Sequence, residues 1–273
     1  MILTNSPHYN ERKGDVMDSY EKLLSARDIN RPNIDYYIDA LFSDFIELHG
    51  DRLFKDDKAI VGGIGTFHGL PVTIIGHRKG HNMNENIDCN FGMTSPEGYR
   101  KAVRLMKEAE KFHRPVITFV DTPGAYPGIE AESNGQSNAI AESIACMSSL
   151  RTPTISIITG EGSSGGAIAI ATADKVWMLE MAVYSILSPE GFASIMYKDA
   201  SLAPKACDIM KITADELYEL GLVDGVVRED AKTIIRLDKM IKDELMVLLK
   251  KKPETLVKER YEKYRKIDMG AFN

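Results

Sequence analysis

Two glycine-rich stretches hold most of the chemical promise of this 273-residue chain. One reads Gly160-Glu161-Gly162-Ser163-Ser164-Gly165-Gly166-Ala167; the other reads Asp121-Thr122-Pro123-Gly124-Ala125-Tyr126-Pro127-Gly128. The first satisfies two unrelated signatures. As GxSxG it would present Ser164 as a nucleophile, and as GxGxxG it would cradle a dinucleotide. A nucleophilic serine needs a base, usually histidine. The six histidines, His8, His49, His68, His77, His81 and His113, all precede Ser164, whereas the α/β-hydrolase order places the histidine after the serine. The dinucleotide reading finds Glu180 where a ribose-binding acid would stand, 20 residues after Gly160. Against it, the loop lies mid-chain and opens a short helix of small residues.

Other matches fail sooner. Asp121-Thr-Pro-Gly124 has the DxxG spacing of GTPases, but no GxxxxGK[ST] run exists to hold phosphates. There is no HExxH. His77 and His81 are four apart, but Gly76 and Gly80 make that segment read as a loop, without metal-ligand spacing.

What remains is backbone geometry. Glycines at a helix start leave N–H groups without helical partners, with the helix dipole behind them. A missing Cβ lets a substrate atom approach the main chain. Two such loops on neighbouring strands would form a pair of oxyanion sites, suited to an enolate or a tetrahedral oxyanion. The competing reading gives the glycines to tight helix–sheet packing alone. It weakens when two loops each follow a buried strand.

The elements that must carry these loops alternate. Residues 1–31 are polar and read as a loosely attached N-terminal arm. Pro32-Asn33 opens a helix whose apolar residues recur at helical spacing through Leu48. Ala59–Phe67 and Pro71–Gly76 flank the turn His68-Gly69 and read as a hairpin. Arg78–Phe91 reads as a polar loop. Ser95-Pro96-Glu97 caps a helix running to about Phe112. Pro115–Val120 and Pro153–Thr159 are short apolar strands, as expected when both faces are covered. Each ends in one of the glycine loops, and each loop opens a helix: Gln136–Leu150 and Gly166–Ala173. Lys175–Leu179, Tyr184–Leu187 and Leu222–Val227 are further strands. Ser188-Pro189-Glu190 and Thr213–Glu216 start further helices. Two charged helices, near 230–250 and 254–266, close the chain. This alternation is α/β, and it places the two loops side by side at strand ends. The expected organisation is an arm over 1–31, one domain over 32–250 and a helical tail over 251–273.

Composition narrows the setting. Hydrophobic residues make up 44% and charged residues 27%, with a net charge of −6. That balance offers no global field for nucleic acid or an anionic membrane. The start, MILTNSPHYNERKGD, has no apolar core of a secretory signal. No run is long and apolar enough to span a bilayer. Cys89, Cys146 and Cys207 are too few and too scattered for a disulfide framework or a zinc site, and they fit a reducing cytoplasm.

Five runs carry a resemblance: DDKAIVGGIGTFHGLPVTIIGHRKG (56–80), NFGMTSPEGYRKAVRLMKEAEKF (90–112), ITFVDTPGAYPG (117–128), ITGEGSSGGAIAI (158–170) and ILSPEGFASI (186–195). Together they closely resemble the carboxyltransferase alpha subunits of bacterial multi-subunit acetyl-coenzyme A carboxylase, over about residues 32–228. The resemblance implies an α/β, crotonase-like fold, a spiral of repeated ββα units with flanking helices. It implies transfer of a carboxyl group from carboxybiotin to acetyl-CoA, giving malonyl-CoA for fatty-acid synthesis. Biotin would itself act as the base, so no protein base is expected, in keeping with the lack of a histidine near either loop in the sequence reading. By position, Gly165 and Gly166 match the family's glycine pair whose N–H groups stabilise an enolate oxygen, assigned to biotin. Gly124 and Ala125 offer a second backbone site. A Gly166→Val substitution is expected to block the pocket while the chain still folds.

The resemblance implies several partners: a zinc-ribbon carboxyltransferase beta subunit, a biotin carboxyl carrier protein and biotin carboxylase. The expected assembly is α2β2, with this chain inactive alone and no metal of its own. The alternatives are a carboxyltransferase for another acyl-CoA and a crotonase-like partner subunit without catalysis. Lys55, Lys58, Arg78, Lys79, Arg100, Lys101 and Arg104 are candidates for CoA phosphates or the partner, against the plainer reading of a solvated charged face.

Overall fold

The computed structural model describes residues 17–270. Helix α1 (Ser19–Ala26) is closed by a capping box between Asp18 and Glu21, and α2 (Ile34–Leu41) is capped by Asn33. The chain then enters strand β1 (Ser43–Glu47) and the hairpin β2 (Ile60–Phe67) and β3 (Leu70–His77). Short helix α3 (Met83–Asp88) and long α4 (Pro96–Lys111) lead into β4 (Val116–Thr122). After α5 (Ile129–Ser133) and α6 (Gln136–Ser149) come β5 (Thr154–Ser163), α7 (Ser164–Ala171), β6 (Lys175–Leu179) and β7 (Val183–Ser185). Helices α8 (Pro189–Tyr197), α9 (Ala203–Met210) and α10 (Ala214–Glu219) precede β8 (Gly225–Val227). Helices α11 (Thr233–Leu248) and α12 (Pro253–Gly270) follow.

The strands form one sheet of order β1-β2-β3-β4-β5-β6-β8, with β7 beside the far end of β5. The β1–β2–β3 part is antiparallel; β3, β4, β5, β6 and β8 run parallel. Strand β4 shows why both faces are covered. Phe119 stacks on Tyr37 of α2 at 5.4 Å, while the neighbouring Thr118 hydroxyl donates to the Ile170 carbonyl of α7 at 2.7 Å. Alternate residues thus meet helices on opposite sides, which is why the strand carries no polar alternation.

Several sequence expectations change. The helix opened by Pro32-Asn33 ends at Leu41, and Ser43–Glu47 is an edge strand paired with β2. Phe42, Phe45 and Ile46 fit helical spacing, but pairing with β2 overrides that local pattern. Within the expected polar loop 78–91, Asn82 caps α3. The arm described from residue 17 onward is not loose: Lys22 pairs with Asp215 at 2.9 Å, and Arg31 with Glu229 at 2.8 Å, the latter pair almost wholly buried. The first sixteen residues of that arm lie outside the described residues.

Candidate active site

Parallel pairing of β4 and β5 fixes the position of the two loops. Val120 pairs with Ile158, and Thr122 with Gly162 after a register shift. The DTPGAYPG and GEGSSGGA segments therefore leave the same edge of the sheet side by side. They touch: a Cβ on Gly166 would lie 2.8 Å from the Ala125 nitrogen and 2.9 Å from the Gly124 carbonyl carbon. Only glycine permits that approach. It follows that Gly166→Val would displace the neighbouring loop rather than merely fill a pocket, and the expected undisturbed folding of that variant is corrected.

The amides differ in availability. Gly165 and Gly166 are the second and third residues of α7, where an N–H has no partner inside the helix. No side chain caps that helix start. The Ala125 N–H has no acceptor among the described residues, although Tyr126 N–H donates to the Thr94 carbonyl at 3.0 Å. The Gly124 N–H, in contrast, is already bonded to Thr122 Oγ1 at 3.0 Å. The first loop thus offers Ala125 rather than both residues. Gly165 is half-buried, Gly166 buried.

Behind the loops stands an ionic scaffold. Asp121, 7% exposed, accepts from Lys79 Nζ at 2.6 Å and from the Glu161 N–H at 3.0 Å. A Cβ on Gly160 would sit 2.5 Å from the Asp121 carboxylate, so this glycine admits the carboxylate to the second loop. The buried Glu161 carboxylate meets Arg27 at 2.7 Å. Arg31 Nε donates to the Thr159 carbonyl at 2.6 Å.

His77 is the main omission of the sequence reading. It ends β3 instead of entering a loop, and it is 1% exposed against the Gly166 peptide and the Asp121–Lys79 pair. A histidine is therefore close to the glycine loops, contrary to expectation. Burial, opposed by the Asp121 charge, pushes its imidazole down to about 3. It is neutral, and its ring stands beside the Gly166 backbone. The signal for it was the period-2 continuation of Thr73 and Ile75, masked by Gly76 and Gly80. Tyr99, buried inside α4, was also missed. Its hydroxyl lies 2.9 Å from the Cβ position of Gly166.

No side-chain nucleophile emerges. Ser164 does occupy a left-handed elbow between β5 and α7, with φ 60°, but among the described residues no histidine bonds to it. Burial pushes the Cys146 and Cys207 thiols up to about 11, and it also raises Cys89. Glu180 does not wait for a ribose: it accepts from the Glu229 N–H at 3.1 Å. Among the described residues no group of histidine, cysteine and carboxylate side chains is placed to hold a metal. The seven basic candidates are all ion-paired within the chain: Lys55 to Glu130, Lys58 to Asp88, Arg78 to Asp35 and Glu47, Lys79 to Asp121, Arg100 to Asp51 and Glu97, Lys101 to Asp56, and Arg104 to Glu108. Lys55 and Lys58 are exposed, as a solvated face would have them, whereas Lys101 is buried and Lys79, Arg100 and Arg104 are largely so. A groove of about 480 Å³ lies along α4, lined by residues such as Arg52, Arg104 and Lys107, and includes neither glycine loop.

The fold is a crotonase-type α/β one, with two glycine loops meeting at the ends of adjacent parallel strands. Solved structures of similar fold include the transcarboxylase 12S core with methylmalonyl-coenzyme A bound (TM-score 0.70, 17% identity, covering 83% of this chain and 43% of that one). The P. aeruginosa geranyl-CoA carboxylase beta subunit is also similar (TM-score 0.66, 14% identity, covering 88% and 46%). A family profile described as acetyl co-enzyme A carboxylase carboxyltransferase-like matches residues 5–268, and the chain belongs to that family. Proteins called acetyl-coenzyme A carboxylase carboxyl transferase subunit alpha are 55% identical in Clostridium botulinum (strain Eklund 17B / Type B) and 52% identical in Shouchella clausii (strain KSM-K16). Each alignment covers 92% of this chain, and 95% and 80% of those proteins respectively.

Proposed function

We propose that this chain is the alpha subunit of a carboxyltransferase that moves a carboxyl group from carboxybiotin to acetyl-CoA, giving malonyl-CoA. The observation that carries the reading is the contact of two backbone-amide sites, Ala125 beside Gly165-Gly166, at the ends of adjacent parallel strands. Carboxybiotin supplies the carboxyl group and, once it has given it up, the base for the acetyl methyl.

The residues of this chain fit an acceptor oxygen that becomes negative during the reaction. The Gly165 and Gly166 N–H groups point from a helix start, where the dipole favours an anion. The Ala125 N–H is unspent. Main-chain donors fixed by a sheet need no reorganisation as charge develops, and each donor of this kind contributes about 3 kcal/mol in other enzymes. The Asp121–Lys79 pair and Glu161 hold the loop backbones without presenting a base. His77, kept neutral, leaves stabilisation of the oxygen to the main-chain donors.

Completion of the site is assigned to a zinc-ribbon beta subunit in an α2β2 assembly, with biotin delivered by a carboxyl carrier protein that biotin carboxylase charges. Three free thiols accord with work in the cytoplasm. Among the described residues no helix is long and apolar enough to cross a membrane.

The test is co-purification with a zinc-ribbon carboxyltransferase beta subunit, then an assay of biotin-dependent decarboxylation of malonyl-CoA. Association with activity on malonyl-CoA is expected. Activity confined to a different acyl-CoA would move the substrate assignment. Association without activity on any acyl-CoA would remove the enzymatic reading.

A further inference from the structure

Arg27 stands outside both glycine loops and every other motif of the sequence. It lies just after α1, in the N-terminal arm, far in sequence from the loops it touches. Its Nη2 donates to Glu161 Oε1 at 2.7 Å, and its Nη1 to Glu190 Oε1 at 2.7 Å, with a second contact to Glu190 at 3.2 Å. Glu161 is the second residue of GEGSSGGA and its side chain is 4% exposed; Glu190 lies in the first turn of α8. One guanidinium therefore ties together the arm, the second glycine loop and α8.

From Glu161 the connection continues through the main chain. Its N–H donates to Asp121 Oδ1, which also takes Lys79 Nζ. Asp121 opens the first glycine loop. A planar fork that binds two carboxylates at once fixes both distance and angle, which a point charge does not. A carboxylate as buried as Glu161 has no alternative in water. Removing the guanidinium would leave that charge uncompensated four residues before Gly165, and the strand end would relax toward solvent.

We propose that Arg27 is a positioning residue for the Gly165–Gly166 amide site, acting through Glu161, so that the N-terminal arm is part of the catalytic scaffold. The inference rests on the carboxyltransferase reading for its rate measurement but has a second readout that needs no activity. Misplacement of a catalytic group by about 1 Å costs on the order of a hundredfold in rate. Arg27→Ala in the complex with the beta subunit is therefore expected to lower kcat about tenfold to a hundredfold, with KM for the CoA substrate changed less than about twofold. Added guanidinium ion at non-denaturing concentration should restore part of the rate. The control is Lys22→Met, which releases the same helix from Asp215 without touching Glu161.

Hydrogen exchange of peptides spanning 160–167 should quicken in Arg27→Ala and not in Lys22→Met. If Arg27→Ala does not fold, Arg27→Lys decides by the same criteria, since lysine lacks the planar fork that fixes both carboxylates in distance and angle. Wild-type kcat in the Arg27 variant, an equal loss in Lys22→Met, or unchanged exchange over 160–167 would each overturn the proposal. A wild-type complex that lacks transfer activity would count against the proposed function alone, and the exchange comparison would still judge Arg27.

Discussion

Gly165 and Gly166 are neighbours with opposite steric margins. A Cβ at 165 would meet only Ile140, at 3.4 Å, whereas one at 166 would press on the Ala125 nitrogen at 2.8 Å. Gly165→Ala should keep or slightly raise stability, since alanine is favoured over glycine in a helix by about 0.5–1 kcal/mol. Its transfer rate then isolates crowding at the amide site, and a loss of about tenfold or more is expected if one donor is displaced. Gly166→Ala should lose activity and also about 1–3 kcal/mol of stability, because the neighbouring backbone must move. Thermal melts beside rate assays on both variants separate the two outcomes. His77 yields a pH prediction. Its folded pKa, about 3, is below its ordinary value of 6.5. Protonation therefore favours the unfolded chain, and this contribution to stability is whole above about pH 6.5 and shrinks as pH falls toward about 3, by up to about 1.4 kcal/mol per pH unit. Urea midpoints measured between pH 7 and pH 4 should fall less steeply in His77→Gln than in the parent. Parallel slopes would contradict the assigned burial effect.

At the scale of elements, α12 matters more than a terminal helix usually does. Its Arg260 side chain is fully buried and binds Asp174 at 2.9 Å, and it also donates to the carbonyls of Met147 and Leu150. Asp174 in turn accepts from the Thr154 N–H at the start of β5. The region expected as a tail is thus tied to the first residue of the strand that ends in GEGSSGGA. Breaking a buried pair by removing one partner typically costs about 3–5 kcal/mol, and Arg260→Ala should show a loss of that order in chemical denaturation. Arg260→Lys should recover only part of it, because lysine lacks the fork that serves a carboxylate and two carbonyls together.

For the molecule as a whole, the sheet gathers both glycine loops on one edge, and Arg27 ties the arm and α8 to the second of them. This chain alone is expected to show no carboxyl transfer and no biotin-dependent decarboxylation. Addition of a zinc-ribbon beta subunit should generate both, with a mass by light scattering that corresponds to two copies of each chain. Transfer by the isolated chain would remove the need for a composite site.

The sequence by itself determined the family, the alternation of strands and helices, and the two glycine loops. Those features are local: glycine and proline punctuate the chain, and continuous apolar runs such as Val116–Val120 mark strands covered on both faces. Caps were equally legible, as Ser188 and the Thr213–Glu216 box show. The tertiary structure decided what depends on separation in sequence. Ser43–Glu47 became a strand because β2 was there to pair with it. The Gly124 N–H dropped out as a donor because Thr122 folds back on it. His77 turned inward because β4 lies beside β3, and Arg27 reached Glu161 across 134 residues. Such contacts form only after chain entropy has been overcome by the packing of the whole sheet, so no short window of sequence contains them.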